Sequence, residues 1–249
     1  MRKYTTAPHP FVLEPPLERK REYVPGDAIS FGLLLIGKAI EYLPYFIYAF
    51  DEMGKTGLGK GKGAFTLGKV VNTGMPNLPD DQTVYSSDTK TLVPVQSGDL
   101  CLPFSVDPAM CAVSSPPGQL SLEFLTPARI SYDRHLTDKP EFHVLIRNLL
   151  RRLALLCYFH CGEDTSGWDF KKIIECAEGV RIKEKDLKWH DWERYSARQD
   201  TRMKMGGFIG KITYEGQIGP FMPLIRAGEI VHVGKGTSFG LGKYRILEK

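Results

Sequence analysis

The chain has 249 residues, with 33 basic and 29 acidic side chains and a formal charge of +4. An apolar content of 42% excludes a disordered chain. The longest apolar run, Phe31–Ile36 with its flanks, falls far short of the roughly 18 residues of a membrane-spanning helix, and so small a net charge argues for nucleic acid only through where the charge sits.

Met1–Thr6 has no apolar stretch behind its basic start and does not read as a signal peptide. Phe11–Glu14 and Ile29–Ile36 read as strands, and Leu43–Met53, with Pro44 in its first turn, as a short helix. The glycine-rich run Gly54-Lys55-Thr56-Gly57-Leu58-Gly59-Lys60-Gly61 leads to a strand-like segment, Ala64–Val71. A Thr-, Pro- and Asp-rich excursion follows, with a hairpin expected over Thr83–Leu92 and a linker over Ser114–Gly118.

The second half is more regular. Ser121–Leu125 alternates as a strand does and ends at Thr126-Pro127. Over Pro140–His160, the residues Phe142, Leu145, Ile146, Leu149, Leu150, Leu153, Leu156 and Cys157 recur at three- and four-residue steps, which predicts an amphipathic helix closed by Gly162. Trp189–Ser196 and Gly206–Glu215 read as strands. Met222-Pro223 opens a second short helix, followed by a loop with four glycines between Gly234 and Gly242, then the strand Tyr244–Leu247.

The order in the second half is βαββαβ, a ferredoxin-like split unit. The first half repeats the end of that unit. Strand, short helix, Gly-Leu-Gly-Lys and strand recur, with the tetrapeptide at 57 and again at 240. The expected fold is α+β, with two tandem ferredoxin-like (βαββαβ) units over 1–113 and 119–249. The first is incomplete at its N-terminus, because nothing there corresponds to the first strand and long helix.

Five cysteines without a secretion signal read as reduced thiols. Cys157-x-x-His160-Cys161 resembles half of a zinc site but has no second ligand pair, and Cys157 falls on the apolar stripe, so a buried thiol is the expectation. No metal or cofactor is expected. Gly54-x-x-x-x-Gly59-Lys60 is a near miss to the phosphate loop of nucleotide hydrolases. That motif needs Ser or Thr where Gly61 stands, and it follows a strand rather than a helix.

Glycine lets backbone amides approach an anion closely. The C-terminal loop, flanked by Lys235 and Lys243, therefore reads as a phosphate or RNA-backbone contact. Arg147, Arg151 and Arg152 are expected on the polar side of the long helix. Arg194, Tyr195, Arg198, Gln199, Arg202 and Lys204 interleave arginine with tyrosine, which suits phosphate contact and base stacking on single-stranded RNA. Of six histidines, His232 stands two residues before the glycine loop. There its imidazole could exchange protons beside a bound phosphate. His9 is the second candidate.

Two such units, with a C-terminal helix, the loop His232-Val233-Gly234-Lys235-Gly236-Thr237-Ser238-Phe239-Gly240-Leu241-Gly242 and a last strand, resemble the RAMP superfamily. Within it they are most similar to the CRISPR-associated endoribonucleases that process precursor CRISPR RNA. Thr126-Pro127-Ala128-Arg129 and Arg194-Tyr195-Ser196 fit that pattern. The resemblance implies cleavage within a repeat, without a metal, leaving a 2′,3′-cyclic phosphate. It places the usual acid–base histidine in the first unit, in a segment without a counterpart here. The expected function is metal-independent cleavage of repeat RNA by 2′-hydroxyl attack, with His232 and His9 as catalytic candidates. The alternative is a non-catalytic RNA-binding subunit of a CRISPR effector complex. RNA contacts are expected from Lys235, Gly236, Ser238, Phe239, Gly240, Lys243, Arg194, Tyr195, Arg198, Lys55 and Lys60. The expected partners are repeat-containing CRISPR RNA and other CRISPR-associated proteins, in the cytoplasm and away from membranes.

Overall fold

The computed structural model describes residues 7–18, 20, 22–59, 61–73, 82–94, 118–191, 193–196 and 201–247, with the backbone alone for 194–196 and 201–204. In chain order the strands and helices are β1 (Phe11–Glu14), β2 (Gly32–Leu35), α1 (Leu43–Thr56), β3 (Lys69–Asn72), β4 (Gln82–Ser86), β5 (Gly118–Ala128), β6 (Ser131–Tyr132), β7 (His135–Leu136), α2 (Phe142–Leu156), α3 (Phe170–Ala177), β8 (Arg181–His190), β9 (Glu193–Ser196), β10 (Thr201–Lys204), β11 (Gly207–Gly216), α4 (Met222–Val231) and β12 (Tyr244–Leu247).

Alternation builds the main sheet. Along β5, Leu120, Leu122, Phe124, Thr126 and Ala128 are buried while their neighbours are half-exposed, which is the period of two of a strand covered on one face. Phe208, Ile212 and Tyr214 of β11 and Tyr244 of β12 bury on the same side. The four strands lie in the order β12-β5-β11-β8, and every neighbouring pair is antiparallel. Two strands that flank a common antiparallel neighbour are parallel to each other and need a helical crossover. Here α2 and α3 connect β5 to β8, and α4 connects β11 to β12. In the unit's own numbering the order is 4-1-3-2, the split ferredoxin-like arrangement.

The helices cover the apolar face. Phe142, Leu145, Ile146, Leu149, Leu150, Leu153 and Leu156 form the buried stripe of α2. Phe142 meets the rings of Tyr214 and Phe221 edge-on at 5.1 and 5.2 Å. α2 runs into a π-turn, Cys157–Cys161, that Gly162 ends in the left-handed conformation. Asp169 caps α3, its Oδ1 accepting from Lys172 N at 3.0 Å. The open face of the sheet carries charge, with Glu123 holding Arg245 at 2.6 Å and Lys211 at 3.9 Å.

Several expectations need correcting here. The second strand of the unit is β8, not Trp189–Ser196. β8 is an edge strand whose side chains are almost all exposed or half-exposed, so it carries no apolar signature. β9 leaves the sheet and pairs with β10 as a separate ribbon. β4 pairs with β3, and within Thr83–Leu92 just one bridge, Tyr85↔Leu92, closes. Arg152 does not share the polar side with Arg147 and Arg151. It is 9% exposed, and its Nε donates to Val231 O at 2.7 Å at the end of α4. Burial pulls its guanidinium down to about 10. Cys157 is half-buried and free, with burial pushing its thiol up to about 11, and Cys161 is free and exposed. Cys176 is disulfide-bonded rather than reduced.

The chain packs as two compact units, Met1–Gly37 with Leu102–Lys249, and Lys38–Cys101. This division differs from a break between 113 and 119, because β1 and β2 pack with the C-terminal part. Leu34 and Ile36 lie against its core. The smaller unit holds α1, the β3–β4 hairpin and the first glycine turn, which the bridge Leu58↔Gly63 closes. In the first half the described strands pair two by two, β1 with β2 and β3 with β4. Among the described residues no helix is long and apolar enough to cross a membrane.

Candidate nucleic-acid interface

The two Gly-Leu-Gly-Lys segments have different settings. α1 runs to Thr56, so Gly57 follows it directly. α4 stops at Val231, nine residues before Gly240. The second segment therefore belongs to a longer, differently supported loop.

That loop docks on the end of β5, on the tetrapeptide Thr126-Pro127-Ala128-Arg129. The Thr126 hydroxyl donates to Gly240 O and accepts from Lys243 N, both at 2.8 Å. Gly242 N donates to Pro127 O at 3.1 Å, and Lys235 N to Arg129 O at 3.0 Å. Gly240 N donates to Thr237 O at 2.9 Å within the loop. The amides of Gly240 and Gly242 are thus used internally, and the glycines serve close packing. A Cβ on Gly240 would lie 2.8 Å from Leu13 O of β1, and one on Gly242 would lie 1.8 Å from Val233 O, at a φ of +73°. Gly242→Ala combines a backbone clash with a left-handed β-carbon. It should destabilise the protein by about 3 kcal/mol, read as a lowered midpoint in denaturant unfolding.

A three-residue network ties the loop to the N-terminal strand. His232, the residue after α4, has a φ of 64° and is completely buried. Its Nε2 donates to Glu14 Oε1 at 2.8 Å, and its Nδ1 lies 3.2 Å from Leu241 O. Lys243 Nζ donates to Glu14 Oε2 at 2.8 Å. The hydrogen bond from His232 holds the Glu14 carboxyl at about 2, with Lys243 assisting against the opposing effect of burial. A depressed carboxyl contributes stability above its unfolded value, and that contribution is lost as it protonates. Wild-type stability should therefore fall as pH drops from about 4.5 toward 2. Denaturant titrations across that range should show this component missing in Glu14→Gln.

The structure distributes the remaining candidates unevenly. Lys235, two residues before the short helical turn Thr237–Phe239, is exposed, and Phe239, the last residue of that turn, is 43% exposed. Ser238 is 9% exposed, and Gly236 and Gly240 belong to the loop's frame. Arg194 and Tyr195 stand in β9, opposite Met203 and Arg202 of β10. Arg198 and Lys60 lie outside the described residues. Lys55, on α1, is exposed and paired with Glu52 and Asp51. His9 is exposed, its ring 5.5 Å from that of Phe11. Glu14 was not among the candidates. Phe11-Val12-Leu13-Glu14 reads as an ordinary strand end, and nothing in its spacing points to residues more than 200 positions away.

The loop side therefore offers a rigid backbone frame, an exposed lysine and an exposed ring, beside a ribbon carrying arginine and tyrosine. Such a surface suits a phosphodiester chain with unpaired bases.

Comparison with known proteins gives the same direction. Residues 122–244 match the family of the CRISPR-associated endoribonuclease Cas6, and residues 1–97 match a second family, AF_1859_N, an N-terminal domain. No curated protein matches the chain. A Cas6 product complex superposes with a TM-score of 0.50 at 18% identity, covering 96% of this chain and 82% of that one. The product complex of a Thermus thermophilus Cas6 gives 0.52 at 16% identity, covering 96% and 81%. A partial Cas6-RT-Cas1–Cas2 complex gives 0.53 at 14% identity, covering 97% of this chain and 39% of that one. These likenesses carry the fold, an α+β chain of tandem ferredoxin-like units.

Proposed function

We propose, from the match of residues 122–244 to the family of CRISPR-associated endoribonucleases Cas6, that this chain is such an endoribonuclease, which binds the repeat of a CRISPR transcript and cuts it without a metal. The family match over the unit that carries the glycine loop is the observation that supports this most strongly. The cut is an attack of a ribose 2′-hydroxyl on the adjacent phosphorus. The new bond closes a 2′,3′-cyclic phosphate as the bond to the 5′-oxygen breaks. One group accepts the 2′ proton, and another gives a proton to the leaving 5′-oxygen.

His9 is the proposed acid–base group, because its ring is exposed. His232, the other candidate, is wholly buried with both ring nitrogens beside protein oxygens, so its proposed part is to hold the loop. Lys235 and Phe239 contact the RNA, and the β9–β10 ribbon adds Arg194 and Tyr195. Lys243 acts through Glu14 rather than as a free cation. Lys55, Lys60 and Arg198 are further RNA contacts in this proposal. A structural relative bears Cas6 within a complex with Cas1 and Cas2, and association with other CRISPR-associated proteins in the cytoplasm belongs to the same proposal.

Lys235→Gln tests the binding half. Each phosphate contact on a single strand contributes about 0.7 to the slope of log affinity against log salt. The substitution should lower the slope by about that amount and leave thermal stability unchanged. An unchanged slope would move the RNA path away from this loop.

A further inference from the structure

Arg129 follows β5 directly and lies under the glycine loop. Its carbonyl accepts from Lys235 N at 3.0 Å, and a Cβ on Gly234 would stand 2.6 Å from the same oxygen. The backbone of Arg129 is therefore fixed against the segment that presents Lys235. Its side chain is held by much less. Nη1 lies 3.1 Å from Met205 Sδ, and a thioether is a weak acceptor. Nε is buried and, among the described residues, has no hydrogen-bond partner. Among the described residues no carboxylate is paired with it, whereas Lys243 and Arg245 have Glu14 and Glu123.

Met205 immediately follows β10. The guanidinium thus lies between the glycine loop and the base of the β9–β10 ribbon, the two segments to which RNA binding is ascribed above. We propose that Arg129 is a phosphate-binding residue for RNA, gripping one phosphodiester group between the loop and the ribbon. The inference rests on the RNA-binding reading and adds a residue and a ligand group to it.

The physical case has three parts. A buried N–H without an acceptor is unfavourable in the free protein, so a ligand oxygen that reaches it is favoured. Guanidinium presents its donors as a planar fork that fits two phosphate oxygens, which neither a lysine nor a sulfur contact can replace. The sulfur contact is weak, so exchanging it for a phosphate oxygen costs little.

Three forms of the full chain test this: wild type, Arg129→Met and Arg129→Lys. Each is titrated with a repeat RNA oligonucleotide over a salt series, and its thermal midpoint is recorded. Arg129→Met keeps the apolar stem. It should weaken binding by about ten- to a hundredfold and lower the salt slope by about 0.7. Its thermal midpoint should be unchanged or raised, because the orphaned donor is gone. Arg129→Lys should keep the slope and recover part of the affinity. Wild-type affinity and slope in Arg129→Met would overturn the inference while leaving the RNA-binding reading intact. So would a fall in midpoint alongside an unchanged slope, which marks a structural arginine. Failure of the wild type to bind would overturn both.

Discussion

His232→Ala should cost stability before it costs chemistry. The ring is fully buried and bonded to Glu14, which also holds Lys243. Removing it opens a cavity and leaves a partly buried carboxylate with one partner instead of two. Losing a fully buried ring together with its hydrogen bond costs about 3–5 kcal/mol. At roughly 2–4 °C per kcal/mol for a protein of this size, the thermal midpoint should fall by about 10 °C. RNA affinity should fall with it, because the loop that presents Lys235 loses its anchor to β1. A variant that keeps the wild-type midpoint and affinity but cuts no RNA would make His232 catalytic instead.

His9→Ala should behave in the opposite way. His9 is exposed, and its described contact is a ring 5.5 Å away. Its loss should leave the fold and the RNA affinity nearly intact. Cleavage under single-turnover conditions should slow by about 10²- to 10⁴-fold, the usual contribution of a general acid or base. Cleavage at the wild-type rate would remove His9 from the mechanism.

Much of the C-terminal unit was legible in the sequence because its signals are local. Leu120, Leu122 and Phe124 alternate, the apolar residues of α2 recur at helical steps, and Pro223 and Gly234 bracket the last helix. The features that were missed depend on position rather than pattern. β8 is an edge strand, so polar residues suffice there and the apolar alternation disappears. α3 is eight residues long, too short for a period to stand out. A single apolar stripe along α2 puts Arg152 on the solvent side, but α2 packs on both the sheet and α4, which widens its buried side. The repeated Gly-Leu-Gly-Lys suggested equal loops. α1, however, runs directly into the first, while the second is offset from α4 and stitched to Thr126 and Pro127.

The functional site follows the same division. The glycine loop, its flanking lysines and its exposed phenylalanine were visible as a motif. The role of each was not, because accessibility is decided by partners distant in sequence. Glu14 is separated by 218 positions from His232 and by 229 from Lys243. It takes up a ring nitrogen of the first and the ammonium of the second, so both are engaged inside the protein. Arg129 stands in the sequence as the end of the tetrapeptide Thr126-Pro127-Ala128-Arg129. Its unbonded Nε is a property of the packed loop.

The most direct measurement is incubation of the full chain with a cognate repeat RNA in excess chelator, with the ends of the products identified. The account predicts one cut within the repeat, at the rate seen without chelator, and a 2′,3′-cyclic phosphate on the upstream fragment. Binding without any cut, or a cut that appears when magnesium is supplied and leaves a different end, would contradict it.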